Sequence, residues 1–153
     1  MPSVTPSGGG VMQPGSDFNL PGNVDFSGTV TLSGAGSLGY AAGTGAGGAV
    51  TQQTNRTTGV TINALCGAIT TNNTSLAAEA AAAFVVTNNK VGIGDVVCIS
   101  QRSGAVGAMT DVVVTAVAAG SFTLAVMNNN VAAGTAETGA IVINFIVLKA
   151  VST

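Results

Sequence analysis

The stretch Met109-Thr110-Asp111-Val112-Val113-Val114-Thr115-Ala116-Val117-Ala118, then Ala119-Gly120, then Ser121-Phe122-Thr123-Leu124-Ala125-Val126-Met127 decides the fold class. Its two long pieces are rich in Val and Thr, and a turn dipeptide separates them. β-Branched side chains are stiff at χ1 and suit a pleated, half-buried surface better than a helix. The pieces read as strands at 109–118 and 121–127.

The same signature recurs on both sides. Toward the N-terminus, strands are expected at 58–63, 66–71, 82–87 and 95–101, and toward the C-terminus at 140–149. Turn-forming residues separate them: Asn72-Asn73, Asn88-Asn89, Ser103-Gly104, Asn128-Asn129-Asn130 and Thr138-Gly139. Short strands at this spacing predict an all-β fold, a β-sandwich of jelly-roll-like type over residues 51–153. One segment disputes this. Ser75-Leu76-Ala77-Ala78-Glu79 through Ala83 has high helix propensity, with Ser75 as a cap. It is too short to hold a helix alone, so it reads as a loop or single helical turn leading into a strand at Phe84-Val85-Val86.

The run Ile141-Val142-Ile143-Asn144-Phe145-Ile146-Val147-Leu148 is almost continuously apolar. Such a strand left at a sheet edge would aggregate. It must be central or be covered by a neighbouring subunit, and Ile141, Ile143, Phe145 and Val147 are its candidate oligomer contacts.

The N-terminal third differs. Residues 1–23 hold all four prolines (Pro2, Pro6, Pro14, Pro21), with turns at Pro14-Gly15 and Pro21-Gly22. Residues 24–33 alternate, with Val24, Phe26, Val30 and Leu32 on one face, as in a strand. One such strand is not stable alone. Residues 1–38 therefore read as an extended, Gly/Pro-rich arm that orders against something else. Residues 39–50 read as a Gly-rich linker, with the domain boundary near residue 50.

Composition narrows the chemistry. The chain has 153 residues, of which 7% are charged, and it contains no His and no Trp. Without His, the usual proton shuttle at neutral pH and the commonest metal ligand are missing. Four basic residues provide no stripe for phosphate contacts, so nucleic-acid binding is not expected. No run of roughly 20 apolar residues reaches membrane-span length, and the N-terminus lacks the pattern of a signal peptide. Synthesis in a cytoplasm is the resulting expectation. A surface so poor in charge suits a protein covered by partners.

Individual motifs carry little chemistry. Two G-x-G-x-x-G matches occur, Gly34-Gly36-Gly39 and Gly43-Gly45-Gly48. Neither precedes a convincing helix or an acid about 20 residues on, as a dinucleotide site requires. Close backbone approach between chains is the better role. The acids Asp17, Asp25, Glu79, Asp95, Asp111 and Glu137 form no metal-loop spacing. Asp95 and Asp111 could pair as in a glycosidase only if folding joined them, and capping of turn amides is the simpler reading. A serine nucleophile would have to use Lys90 or Lys149 as its base, and no motif supports that. Cys66 and Cys98 read as small thiols in strand patterns, and a disulfide would require adjacent strands. Asn55-Arg56-Thr57, Asn72-Asn73-Thr74 and Asn73-Thr74-Ser75 match a glycan acceptor by chance, and the asparagine clusters read as turns rather than a sugar-binding surface. No catalytic, cofactor or metal residue is assigned, and no enzyme activity is expected.

Gly39-Tyr40, the block Gly43-Thr44-Gly45-Ala46-Gly47-Gly48-Ala49-Val50-Thr51-Gln52, then Thr57-Thr58-Gly59-Val60-Thr61-Ile62-Asn63, Cys66-Gly67-Ala68-Ile69-Thr70 and finally Asn144-Phe145-Ile146-Val147-Leu148-Lys149-Ala150 appear in this order. Together they resemble bacteriophage virion proteins of the head-fibre, capsid decoration and tail-fibre type, over roughly residues 39–151. The resemblance implies a structural component of a tailed-phage particle, a homotrimer assembled in the bacterial host cytoplasm. Its partners would be itself and a major capsid protein or other virion protein. On that view Phe18, Leu20, Val24 and Phe26 of the arm are the candidate capsid contacts. The competing expectation is a tail-fibre or head-fibre component that binds a host surface receptor or glycan. The shortage of exposed aromatics for sugar stacking speaks against it.

Overall fold

The computed structural model describes residues 29, 39–40, 47–132 and 134–150. The chain divides into two units, Met1–Leu38 and Gly39–Thr153, and the second holds all the described strands. The expected strand at 24–33 and the arm residues Phe18, Leu20, Val24 and Phe26 lie outside the described residues.

The fold is all-β, with eight strands in two four-stranded sheets among the described residues. They are β1 (Ala49–Thr51), β2 (Val60–Thr61), β3 (Cys66–Thr70), β4 (Ala81–Thr87), β5 (Val96–Ser103), β6 (Thr110–Ala118), β7 (Ser121–Asn128) and β8 (Val142–Leu148). Sheet A has the order β1-β3-β8-β5 and sheet B the order β2-β4-β7-β6. The chain switches sheet at every connection except the β6–β7 hairpin. β3 pairs with β8 and β4 with β7, both antiparallel, so the first strand of this set meets the last and the second meets the next to last. That is the winding of a jelly roll. β1 and β2 add parallel to β3 and β4. β1 begins at Ala49, inside the segment whose composition reads as linker.

Alternation along each strand builds the core. β4 buries Ala82, Phe84 and Val86, β7 buries Phe122, Leu124 and Val126, and β8 buries Ile143, Phe145 and Val147. Phe122 and Phe145 meet across the two sheets with ring centroids 5.5 Å apart and planes tilted by 48°, an arrangement aromatic pairs favour. Burying side chains of this size stabilises by about 1.5–3 kcal/mol each before entropy is counted.

The Ser75–Ala83 segment resolves as loop and strand. Leu76 bridges to Glu137, and a turn closes with Ala80 N–H donating to the Ala77 carbonyl at 3.2 Å. Glu79 sits in that turn at φ +58°, and β4 starts at Ala81. Helix propensity gives way because Ala82 fills a core position that only the strand register supplies.

β8 is central, lying between β3 and β5. This corrects the expectation for Ile141, Ile143, Phe145 and Val147. All four are at most 4% exposed within the single chain. Their side chains fill the space between the sheets, so they are core residues and leave nothing to offer a neighbouring copy.

Candidate functional site

Two features stand out for function: a buried polar cluster at one end of the sandwich, and the outward faces of the two sheets.

The cluster gathers where the loops 52–59, 71–80, 104–109 and 129–141 meet. Arg56 is 3% exposed and Glu137 is 1% exposed. Arg56 Nε donates to the Thr74 carbonyl, and one terminal nitrogen donates to the Thr71 hydroxyl at 3.3 Å. The other donates to the carbonyls of Glu137 at 3.1 Å and Gly139 at 2.9 Å. The Glu137 carboxylate accepts the amides of Val106, Gly107 and Gly139 at 2.6–3.1 Å, and the Thr110 hydroxyl. Burial by itself would raise the Glu137 pKa. The hydrogen bonds from Thr110 and the three amides outweigh it and hold the group at about 2. Burial lowers the Arg56 pKa, opposed by the charge of Glu137.

Gln52 and Asn128 extend the same stitching. Gln52 donates to the Arg56 and Thr58 carbonyls and accepts the Asn72 amide. Asn128 donates to the Leu76 and Thr135 carbonyls. Among the described residues no buried side-chain nitrogen or oxygen lacks a hydrogen-bond partner. Chemically, the cluster can anchor loops. Glu137 has its oxygens filled by donors of the chain itself, so it is an ionised tether for the 104–110 loop.

The opposite end has a smaller set. Asp95 accepts the amides of Gly92 at 2.7 Å and Ala150 at 3.1 Å, and pairs with Lys149. The Lys149 ammonium leads in holding the Asp95 carboxyl below its usual range, with the two amides adding to it. Lys149 also donates to the Lys90 carbonyl at 2.9 Å. Asp111 accepts the amide of Val112. The full length of β5 separates Asp95 from Asp111, so these two carboxylates do not meet, and each caps nearby amides instead.

Other sequence candidates fall into place. Gly48 leads into β1, a strand, where a dinucleotide fingerprint needs a helix. Its carbonyl accepts the Ala68 amide, so the close approach at this glycine is made within the chain. Asn72, Asn88 and Asn130 each accept a backbone amide two residues on, which is turn chemistry. Cys66 and Cys98 both pair with Ile146, one from each side. Two strand spacings therefore separate them, roughly 9–10 Å, too far for a disulfide. The hydroxyl of Tyr40 donates to the Val147 carbonyl at 3.0 Å.

The outward faces are not legible as sites from the sequence. Sheet B turns Ala81, Ala83, Val85, Ala116 and Ala118 outward, all exposed. Sheet A turns out Val96, Cys98, Asn144, Ile146 and Leu148. Charge touches these faces only at their rims, as Asp111 at the start of β6 and Arg102 in the bulge of edge strand β5. Such surfaces lose little solvation when covered.

No family model, curated protein or solved structure matches this chain.

Among the described residues no group of three His, Cys, Asp or Glu side chains lies close enough to hold a metal ion. What the geometry offers is a braced sandwich whose broad faces are uncharged.

Proposed function

We propose that this chain is a virion structural protein of a tailed phage, a capsid decoration or head-fibre base protein that trimerises on the capsid surface and braces the shell. The observation that carries the reading is the placement of charge. Eight ionisable Asp, Glu, Lys and Arg side chains fall among the described residues. Three of them, Arg56, Asp95 and Glu137, are buried in hydrogen bonds, and the rest sit in loops or at sheet rims. The broad faces are left mainly to Ala, Val, Thr and Ser on sheet B and to Val, Cys, Asn, Ile and Leu on sheet A, uncharged side chains suited to packing against other protein. The resemblance of residues 39–151 to phage virion proteins supports the same reading.

On this reading the arm docks on the shell by strand addition and apolar contact, because it has little charge to use. Three arms held by one trimer raise avidity well above that of a single contact. The function is tested by adding the purified chain to phage particles stripped of it and measuring binding and resistance to heat-driven rupture. Saturable binding and a higher rupture temperature are expected. Binding that is unchanged in a chain lacking residues 1–23 refutes the role of the arm. An absence of binding by the full chain refutes the function.

A further inference from the structure

β4 is only partly covered on the side away from β7. The Asn128 amide donates to the Ala80 carbonyl at 2.9 Å and the Asn88 amide to the Gly120 carbonyl at 2.8 Å, so Ala80 and Asn88 turn their backbones toward β7. Backbone groups alternate sides along a strand. Ala82, Phe84 and Val86 therefore face β7, and Ala81, Ala83, Val85 and Thr87 face the other way. On that other side the Ile62 amide donates to the Thr87 carbonyl at 3.0 Å, and β2 pairs with Val86 and Thr87 alone. The N–H and C=O groups of Ala81 and Ala83 point outward beyond the reach of β2, and both residues are exposed.

The other sheet edges are guarded. β5 is bulged between Gln101 and Ser103 and β6 between Val114 and Ala116, and a bulge twists an edge away from an incoming strand. On β1 the Gln53 side chain donates to the Thr51 carbonyl at 3.1 Å. β2 is two residues long. The stretch Ala81–Ala83 has no bulge, no proline and no charge, and its methyl side chains leave the backbone open to approach.

We infer that this stretch of β4 receives residues 24–33 of a second copy as an added strand. The inference rests on the assembly reading and names a contact that holds the copies together. A row of outward backbone donors and acceptors selects its occupant by chemistry, because another strand is what satisfies it. The chain carries such a segment outside the described residues. Residues 24–33 alternate at strand period, and a lone strand needs a sheet to join. β4 alternates too, with Ala82 and Phe84 buried and Ala81 and Ala83 exposed. The added strand can therefore set Val24, Phe26, Val30 and Leu32 on the core side of sheet B and its hydroxyls on the water side. Each copy gives its segment to the next and receives one from the copy before, a head-to-tail exchange that closes as a ring at three. Contacts closed in a ring reinforce one another. Residues 1–23 remain for the shell.

Hydrogen exchange resolved to single amides tests the assignment on the full chain, with light scattering on the same samples. In the wild-type trimer the Ala81 and Ala83 amides are expected to exchange at least tenfold more slowly than in the full chain carrying Phe26→Asp and Val30→Asp. The Ala82 and Phe84 amides face β7 and are expected to be equally slow in both, which shows that the domain is folded. A wild type that is monomeric at every concentration overturns the assembly reading and this assignment with it. A wild-type trimer whose Ala81 and Ala83 amides exchange at the rate of the urea-unfolded chain overturns the assignment alone. Protection that persists in the double variant, or in wild type diluted to the monomer, also overturns it.

Discussion

Gly104 and Gly139 cross with their backbones in contact. A Cβ on Gly139 would lie 1.8 Å from the Gly104 carbonyl oxygen, and a Cβ on Gly104 would lie 2.0 Å from the Ala140 carbonyl oxygen. Gly104 also sits at φ +89°, in the region that L side chains avoid. The crossing brings the loop after β5 against the strand entry of β8, where Glu137 and Arg56 tie both down.

Gly139→Ala should therefore be among the most damaging small substitutions in the domain. The atom it would meet is backbone, which cannot rotate aside, and a loss of about 3 kcal/mol or more is expected. Gly94→Ala makes the control. Gly94 has φ +92° but nothing within 4 Å of an added Cβ, so only the backbone conformation is penalised, by about 1 kcal/mol. Urea midpoints of the two variants against wild type measure the difference.

Glu137 predicts an acid-dependent loss of stability. Its folded pKa of about 2 lies below the ordinary 4.5. The unfolded chain thus takes up a proton first as pH falls. The contribution is complete above about pH 4.5 and disappears between there and pH 2. Allowing for screening, it should amount to about 2 kcal/mol. Urea midpoints from pH 7 to pH 2.5 should fall for wild type. Glu137→Gln should start lower and vary less over the same window.

Arg56→Ala takes a donor from four acceptors, the carbonyls of Thr74, Glu137 and Gly139 and the hydroxyl of Thr71, of which the Glu137 carbonyl keeps the Leu76 amide and the Thr71 hydroxyl keeps the Ile141 amide. Leaving buried acceptors short of a charged donor costs about 1–3 kcal/mol. Hydrogen exchange should show the 71–76 and 137–141 amides losing protection first, ahead of the β4–β7 ladder.

The position of Ile146 between Cys66 and Cys98 predicts that oxidation does not staple the domain. The thermal midpoint should be the same with and without reductant. Unfolding without reductant should let an alkylating agent modify both cysteines, counted by intact mass.

Most strands can be read from the sequence because β-branched alternation and turn residues agree. The segment 121–127 is β7 almost to the residue, and 82–87 is β4 less its first residue. β1 is not legible because Ala49-Val50-Thr51 follows a glycine run, and only its parallel pairing with Ala68, Ile69 and Thr70 of β3 makes it a strand. The expected strand at 58–63 shrinks to Val60–Thr61, a short parallel edge beside β4. The Arg56–Glu137 cluster is hidden for a different reason. Its members lie 81 positions apart, and no local pattern marks a pair that only topology brings together. The run Ile141–Leu148 has two faces to cover, because it is apolar at both parities. Ile141, Ile143, Phe145 and Val147 cover the core side, which leaves Val142, Ile146 and Leu148 facing outward.

On the proposed function, this protein acts by packing against copies of itself. Sedimentation equilibrium on the purified full chain, over a hundredfold range of concentration, tests it most directly. One species with the mass of three 14.7 kDa chains is expected. A single 14.7 kDa species at every concentration would contradict it.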